Sequence, residues 1–268
     1  MIYFFILISV QIILESFPVS SSGHIILLEN FFEVFSLGSS SAISSNRMLS
    51  HFLHGPTAIV LAAFFFDRWM FLVRHIKTCW PYVLKIIGFA FLADIVTFLI
   101  FLIFNHVVDV SFFPIGVGFL ISLAFLLSLR FCNREKYGSI TVKKALLLGA
   151  VQGLSLLPGV SRFGTTFVAG CWLGLSPKKS FEFSFVILWP LVFIGFSKSL
   201  VKFFSVNFVV EKIYLLDFNI LLCIVISSAI SFFALHFVKI LALTNRLWWF
   251  SLFLIFSFIS WLVFVLWV

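Results

Sequence analysis

Three ionisable residues, Glu15, His24 and Arg162, lie inside polar interruptions of an otherwise apolar sequence. An ionisable group at membrane depth costs about 2.5–3.5 kcal/mol on insertion scales and is a functional candidate by default. A carboxylate, an imidazole and a guanidinium together could bind and hydrolyse a phosphate ester, because Arg offers a planar fork of donors and His titrates near neutral pH. A structural salt bridge between two segments is the alternative, and the residue types alone leave both open.

Hydroxyl-bearing and small residues surround these groups in two short motifs. The motifs read Gln11-Ile-Ile-Leu-Glu15-Ser-Phe-Pro18-Val-Ser20-Ser21-Ser22-Gly23-His24 and Pro158-Gly-Val-Ser161-Arg162-Phe-Gly164-Thr165-Thr166. Helix N-termini present free N–H groups and a positive dipole end, which bind anions. A phosphate pocket needs hydroxyls beside an arginine just before a helix, whereas a salt bridge does not. The motifs therefore favour a phosphate site.

The composition indicates that lipid is the solvent of this chain. Of its residues 62% are hydrophobic and 10% are charged, whereas a soluble domain is about a quarter charged. The net charge of +8 comes from residues between apolar stretches, where loop retention and anionic head groups explain it. No basic stripe or stacking platform accompanies the charge, so we expect membrane lipids as partners and no nucleic acid.

The apolar stretches predict an all-α polytopic integral membrane protein. A transmembrane helix needs about 20 apolar residues, and about six stretches meet that test. They are residues 48–66, 82–104, 112–131, 183–204, 214–238 and 247–267. The chain is predicted to form a single membrane domain over residues 1–268.

Two further apolar regions, 2–34 and 143–175, are interrupted by the motifs. Irregular backbone at membrane depth is tolerated only where protein or a water-filled cavity surrounds it. Each region is therefore predicted to be a re-entrant helical hairpin, with a helix, a polar break and a second helix. The prediction gives the membrane domain two such hairpins besides its full transmembrane helices.

The two breaks resemble each other and divide the chain into two internal repeats, roughly 1–135 and 136–268. Val-Gln, then Pro, Ser and Gly recur in order, and three long spans follow each break. Basic residues dominate connections 67–85 and 130–144, whereas 105–111 has neither Lys nor Arg. The positive-inside rule places the first two in the cytoplasm, which gives the repeats inverted topology and puts the first hairpin on the outer side.

The two motifs also carry a resemblance to a known family. The segment Gln11 to His24 resembles the (E/Q)xxxE and PxSSxGH motifs of the undecaprenyl-diphosphatase, or bacitracin-resistance, family. The segment Gly149 to Thr166 resembles its PGxSRSGxT signature, with Phe163 where the family has Ser. The resemblance extends over the whole chain in length and span plan. It implies hydrolysis of the C55 isoprenoid diphosphate to its monophosphate and inorganic phosphate, which recycles the carrier lipid for peptidoglycan synthesis.

The resemblance implies a division of roles. Glu15, Ser21, His24 and Arg162 form the predicted catalytic set, with Arg162 as the diphosphate clamp and His24 as general acid or base. Glu15 with Gln11 is expected to hold a divalent cation, Mg²⁺ or Ca²⁺, since both prefer oxygen ligands. The predicted phosphate-binding residues are Ser20, Ser22, Gly23, Ser161, Gly164, Thr165 and Thr166. The nucleophile stays open between Ser21 and a metal-bound water.

The location and the rival functions follow from the same features. The resemblance implies the bacterial cytoplasmic membrane, and the outer-side position inferred for the first hairpin would put the site within reach of the outer leaflet. A flippase or transporter for polyprenyl phosphate is the main alternative, because inverted repeats with broken helices are also a transporter architecture. A homodimer is left open. Asp94, inside a long span, is predicted to pair with a neighbouring helix.

Overall fold

The computed structural model describes residues 2–34, 52–107, 113–132, 138–204 and 217–267. In these residues the chain folds into α-helices joined by short turns. The helices are α1 (Ile2–Leu14), α2 (Ser21–Val34), α3 (His54–Phe64), α4 (Phe66–Arg74), α5 (Ile76–Val107), α6 (Ile115–Ser128), α7 (Val142–Leu154), α8 (Arg162–Trp172), α9 (Pro177–Phe204), α10 (Phe218–Leu243) and α11 (Phe250–Trp267). Residues 108–112 and 133–137, which belong to two of the connections that carry the orientation prediction, lie outside the described residues.

Four helical segments in the described chain are long and apolar enough to cross a membrane: Ile76–Phe104, Pro177–Val201, Phe218–Leu243 and Leu247–Trp267. They overlap the spans predicted near 82–104, 183–204, 214–238 and 247–267. Apolar side chains point outward from them, with Phe98 56% and Phe233 71% exposed. Such a surface requires lipid around it, so the class of polytopic all-α membrane protein is confirmed.

The other two predicted spans differ from straight crossings. The structure describes the span predicted at 48–66 from residue 52 onward. In it α3 ends at Phe64, and α4 follows after a bend of 58°. Counting that bent pair as one span gives up to five in the described chain. The span predicted at 112–131 is a shorter apolar helical segment, Ile115–Phe131.

Both interrupted regions fold as a helix, a break and a second helix. Helices α1 and α2 flank the first break, and α7 and α8 flank the second. The breaks end on similar caps, since Ser20 Oγ accepts from the Gly23 N–H and Ser161 Oγ accepts from the Gly164 N–H, each at 3.1 Å. A serine at this position satisfies one of the N–H groups that a helix start leaves free. The same local chemistry therefore starts α2 and α8.

Each hairpin is held by a long helix through small residues and hydroxyls. Helix α7 lies against α5, where a Cβ on Gly149 would come 2.3 Å from the Ala93 carbonyl oxygen. Thr97 Oγ1 donates to the Gly149 carbonyl at 3.0 Å across the same contact. The first hairpin contacts α10 through paired hydroxyls, such as Ser227 to Ser9 at 3.1 Å. Close approach and side-chain hydrogen bonds are what hold helices together in lipid.

Candidate active site

The two breaks meet at their tips. A Cβ on Gly23 would lie 2.7 Å from Gly159 Cα, and a Cβ on Gly164 would lie 2.9 Å from the Pro18 carbonyl oxygen. Each break therefore touches the start of the helix that follows the other break. The N-termini of α2 and α8 converge at this junction, and their positive dipole ends favour an anion there.

Glu15 lies at the junction with its carboxylate facing two donors. Ser21 Oγ donates to Glu15 Oε2 at 2.6 Å, and Gln11 Nε2 donates to the same oxygen at 3.3 Å. Glu15 and Ser21 are both half-buried. The carboxylate thus engages a hydroxyl and an amide, not the guanidinium that a structural salt bridge would require. This arrangement can remove a proton from Ser21.

His24 is buried one turn into α2, and both of its ring nitrogens are engaged by groups other than Ser21. Its Nδ1 lies against the Ser20 carbonyl, which can only accept, so Nδ1 carries the proton. Its Nε2 lies 2.8 Å from Ser257 Oγ on α11. The ring packs between Phe119 and Phe253. In the described residues the Ser21 hydroxyl therefore pairs with Glu15, and the predicted pair His24 and Ser21 is not joined by a hydrogen bond.

Arg162 is the first residue of α8 and is half-buried. Its Nε is buried and has no hydrogen-bond partner in the described chain. A buried donor without a partner costs about 1–3 kcal/mol. An anion at the junction would relieve that cost, so the predicted clamp has an unused donor at the site.

The predicted phosphate-binding hydroxyls fall into two groups. Ser20, Ser161, Thr165 and Thr166 are buried. Thr165 Oγ1 and Thr166 Oγ1 donate to the Ser161 and Arg162 carbonyls of their own helix, each at 2.8 Å. Ser22, by contrast, is exposed. The structure thus leaves Ser21 and Ser22 as the accessible hydroxyls, while the two buried threonines shape the start of α8.

One observation supports a cation site at Gln11 and Glu15, although these two side chains alone do not make a full set of ligands. Gln11 Oε1 is buried without a hydrogen-bond partner, beside the Glu15 carboxylate. In the described residues no group of three or more His, Cys, Asp or Glu could hold a metal ion. Mg²⁺ commonly takes one or two carboxylates, waters and substrate phosphates. The two side chains therefore fit a cation that the diphosphate completes.

Two serines that the sequence did not single out complete the site. Ser122, on α6, accepts from the Ser161 N–H at 2.7 Å and donates to the Gly159 carbonyl at 3.1 Å. Ser257 contacts His24 as described above. Each is a lone serine in an apolar helix, and the only signal available in the sequence was its polarity.

Two other positions have structural roles. Gln152 Nε2 donates to Asp94 Oδ1 at 3.0 Å, which confirms that Asp94 pairs with a neighbouring helix. Phe163, where the family motif has Ser, is buried and stacks on Phe185 with ring centroids 4.6 Å apart. The aromatic ring therefore packs α8 against α9 and faces the protein core.

An apolar cavity of about 470 Å³ begins at His24 and Ser257. It lies between α1, α2 and α11, and its walls include Leu14, Leu28 and Phe256. Phe256 is 68% exposed, so the cavity reaches the lipid-facing surface. An apolar chain could lie in it with one end next to His24.

Fold and site together define a polytopic membrane protein with a candidate anion site where two helical breaks meet. The chain belongs to the bacitracin resistance protein BacA family, whose family model matches residues 4–259. The chain is 32% identical over 184 residues to an undecaprenyl-diphosphatase of Sulfurimonas denitrificans, which covers 66% of this chain and 67% of that protein. The Borrelia hermsii undecaprenyl-diphosphatase is 29% identical over 92% of each chain. The Treponema denticola enzyme of that name is 27% identical over 93% of this chain and 92% of its own.

Proposed function

We propose that this protein hydrolyses undecaprenyl diphosphate to undecaprenyl phosphate and inorganic phosphate. The names of its relatives support the substrate and the reaction. The observation that carries the proposal is the 2.6 Å hydrogen bond from Ser21 to Glu15, at the junction where Arg162 begins α8 with an Nε that has no partner among the described residues. A hydroxyl against a carboxylate is suited to phosphoryl transfer, and the guanidinium and two helix N-termini suit the diphosphate.

Binding of the diphosphate would rest on the junction of the two breaks. Arg162 and the free N–H groups at the start of α8 hold the terminal phosphate, and exposed Ser22 contributes a hydroxyl at the start of α2. Enzymes of phosphoryl transfer act mostly by positioning the reactants and by stabilising charge on the equatorial oxygens. Arg162 supplies that charge stabilisation.

In the chemical step, Ser21 Oγ attacks the terminal phosphorus while its proton passes to Glu15 Oε2. The bond from Oγ to phosphorus forms, and the anhydride bond to the isoprenyl phosphate breaks. Water then attacks the phosphoserine, inorganic phosphate leaves, and Ser21 regains a proton. The contact between Ser21 and Glu15 supports this route over direct attack by water, and it makes Glu15 the base in place of His24.

His24 would act on the leaving group, because it lies where the apolar cavity begins. An isoprenoid chain in that cavity places its phosphate next to the imidazole. In its doubly protonated form His24 donates its Nε2 proton to the departing phosphate oxygen in place of Ser257, while the Ser20 carbonyl holds Nδ1–H and orients the ring. The proposal thus keeps His24 as a general acid and gives it a different partner from Ser21.

We include a divalent cation, Mg²⁺ or Ca²⁺, which Glu15 and Gln11 would hold. A cation there would supply charge neutralisation for the diphosphate. The partnerless Gln11 Oε1 supports this assignment. The chain's own residues would supply two of the ligands, so the affinity for the cation should depend on the diphosphate.

The proposed topology has two inverted repeats, about six crossings and two re-entrant hairpins. One sequence offset relates Gln11 to Gln152, Ser20 to Ser161, and Gly23 to Gly164. The contacts of the breaks are reciprocal, and α1 lies against α10 as α7 lies against α5. These features support an internal two-fold relation. Loop charges support a site that opens to the outer leaflet of the cytoplasmic membrane, where spent carrier lipid is released for recycling.

Transport of polyprenyl phosphate is the less favoured function. Transport of an anion needs cations and dipoles, and it does not need a hydroxyl held against a carboxylate. The relatives' names also describe a phosphatase. Hydrolysis accounts for the hydroxyl held against the carboxylate as well as for the anion-binding groups, whereas transport accounts only for the anion-binding groups.

Phosphate release by purified protein in detergent tests the proposal. Wild type should release inorganic phosphate from undecaprenyl diphosphate in the presence of Mg²⁺ or Ca²⁺. Glu15→Gln should lower the rate by about 10²–10⁴-fold, the usual contribution of a general base. Wild-type protein with no release above background in either metal would overturn the proposal, provided that its melting temperature shows it to be folded.

A further inference from the structure

Helix α4 has the features of a helix that lies along a membrane surface. It follows α3 after a bend of 58°, so it leaves the direction of that helix. None of its nine residues is buried, and charged and large apolar side chains are exposed together, with Arg68 43% and Phe71 49% exposed. Amphipathic helices with basic and aromatic side chains bind in the plane of the membrane interface. The basic residues of connection 67–85 predict the cytoplasmic interface.

A second cavity of about 670 Å³ lies between α4, α5 and α9. Trp69 of α4 and Trp189 of α9 both line it, and their rings meet edge to face with centroids 5.9 Å apart. On α5 the lining includes Ile87 and Phe91, which are 56% and 64% exposed. The cavity is therefore walled by aromatic side chains of α4 and α9, and it reaches the lipid-facing surface along α5.

The lining of this cavity is mostly apolar, and each of the three helices adds one cation to it. The cations are Arg68, Lys85 and Lys179, and Glu182 lines the cavity with them. Arg68 lies 4.0 Å from Glu182, and Lys179 donates to the Gly138 carbonyl at 3.4 Å. A guanidinium has five N–H donors and an ammonium three, so these contacts use only a few of them. Three cations beside one carboxylate leave this part of the cavity positively charged.

The three cations lie at the same end of the cavity. A Cβ on Gly149 of α7 would meet Ala93 of α5. One turn further on, a Cβ on Gly153 would meet Ile100, so the two helices run side by side in the same direction. The start of α7, seven residues before Gly149, is therefore level with α5 next to Lys85. The α9 lysine makes its carbonyl contact just before that start, and the α4 arginine contacts the same helix one turn later.

Asp94, the remaining charged residue of the lining, lies further into the membrane. It is nine residues beyond Lys85 along α5, which is roughly 13 Å at about 1.5 Å per residue. Its carboxylate accepts from Gln152 Nε2 at 3.0 Å. The α5 residues that line the cavity between Lys85 and Asp94 are all apolar. The cavity thus has a cationic end and an apolar stretch that leads away from it.

We propose that this cavity binds an anionic phospholipid of the cytoplasmic leaflet. The phosphate lies among Arg68, Lys85 and Lys179, and the acyl chains lie along the apolar lining. Basic pockets between transmembrane helices on the cytoplasmic side hold anionic head groups, and anionic phospholipids give that leaflet its negative surface potential. The cavity is also larger than the 470 Å³ cavity next to His24, which leaves room for more than one chain.

The bound lipid joins α4 to α5 and α9, because each helix supplies one of the three cations. A ligand that binds only the folded state stabilises that state, so the lipid should raise the melting temperature of the protein. The lipid site does not rest on the proposed function, because none of the residues of the catalytic step lines this cavity.

Lipid binding to the purified protein in detergent, measured by native mass spectrometry, tests the site. Phosphatidylglycerol is compared with phosphatidylcholine of the same acyl chains, so that only the head group differs. Wild type should prefer phosphatidylglycerol. The combined variant Arg68→Gln, Lys85→Gln and Lys179→Gln should bind it at least about tenfold more weakly, since each basic residue near a membrane surface strengthens the attraction of anionic lipid roughly fivefold.

A matched control removes the same charge from the same three helices. Arg74, Lys77 and Lys178 lie on α4, α5 and α9, are exposed, and do not line the cavity. Replacing all three by Gln should weaken phosphatidylglycerol binding by less than about threefold, because solvent and salt screen exposed charges away from the ligand. Binding of lipid at the catalytic junction is common to all of these proteins, so the difference between the two triple variants reports the cavity.

Filling the cavity provides a second readout that leaves the charges in place and decides the case in which the first triple variant does not fold. Val83 lines the cavity on α5, so Val83→Trp should abolish the preference for phosphatidylglycerol. Leu84→Trp, at the next position and outside the lining, should keep it. Equal affinities of wild type for the two lipids, or equal losses in the paired variants, would overturn the proposal. So would displacement of phosphatidylglycerol from the cavity by equimolar undecaprenyl phosphate, which would assign the cavity to an isoprenoid.

Discussion

At the scale of single residues, the site depends on which polar groups are paired and which are left free. Glu15 is engaged by Ser21 and Gln11, whereas Arg162 keeps a buried donor without a partner. The threonines after Arg162 donate to their own helix. A diphosphate would therefore meet the unpartnered Arg162 donor, the two helix starts and the Ser21 hydroxyl that Glu15 holds.

Ser21→Ala should lower phosphate release by at least about 10²-fold, because it removes the attacking oxygen. With ³²P in the terminal phosphate, quenched wild-type protein should carry label that is absent in Ser21→Ala. Ser197→Ala is the matched control, since the Ser197 hydroxyl donates to the Phe193 carbonyl of its own helix. Single-turnover release by wild type without any labelled protein would instead assign the attack to water.

At the scale of elements, close backbone contact between the two breaks fixes the site. Gly23 faces Gly159, and no side chain separates α2 from the second break. Ser122 satisfies two backbone groups of that break from α6. The breaks are therefore held by glycine contacts and buried hydrogen bonds, which resist small displacements.

Gly23→Ala should lower the melting temperature, and it should lower the activity tenfold or more. The new Cβ would come 2.7 Å from Gly159 Cα and 2.9 Å from the Phe119 ring, and backbone atoms cannot give way without moving the break. Gly88→Ala is the control, because its Cβ would meet nothing within 4 Å. Alanine is favoured over glycine inside a helix by about 1 kcal/mol. Equal effects of the two substitutions would contradict the proposed contact.

Ser122→Ala should destabilise the second break without touching substrate. It leaves the Ser161 N–H and the Gly159 carbonyl unpaired in a buried place, at a cost of about 1–3 kcal/mol for each group. We expect a lower melting temperature in detergent and a reduced kcat. A Ser122→Ala protein with wild-type stability and rate would show that the break is held by other contacts.

The sequence predicted the breaks well and their partners poorly. Pro18, Pro158 and the serines that begin α2 and α8 are local signals, and local chemistry decides where a helix can start. The continuation of the helix as α4 after the bend at Phe64 was missed, because Asp67, Arg68 and Arg74 make that segment too polar to be recognised as part of a span. The contact between His24 and Ser257 joins the two ends of the chain, and no local pattern reports it.

At the scale of the whole molecule, the loop charges favour a catalytic junction on the side of the membrane opposite the cytoplasmic loops. Ser22→Cys and Lys77→Cys are made in a protein from which the four native cysteines have been removed. In intact cells, we expect a membrane-impermeant maleimide to label Ser22→Cys but not Lys77→Cys. Both positions are exposed, so burial cannot explain a difference. Lys77→Cys should become reactive after permeabilisation. The reverse labelling pattern would place the junction on the cytoplasmic side.

The central claim is that residues from both hairpins form one catalytic site. A double-mutant cycle of kcat/KM on undecaprenyl diphosphate, with Glu15→Gln and Arg162→Lys, tests it most directly. We predict losses of about 10²–10⁴-fold and 10²–10³-fold for the single variants. Because groups that act as a unit are non-additive, the double variant should fall no more than about tenfold below the worse single one. Full multiplication of the two losses, or wild-type activity in folded Arg162→Lys, would contradict the account.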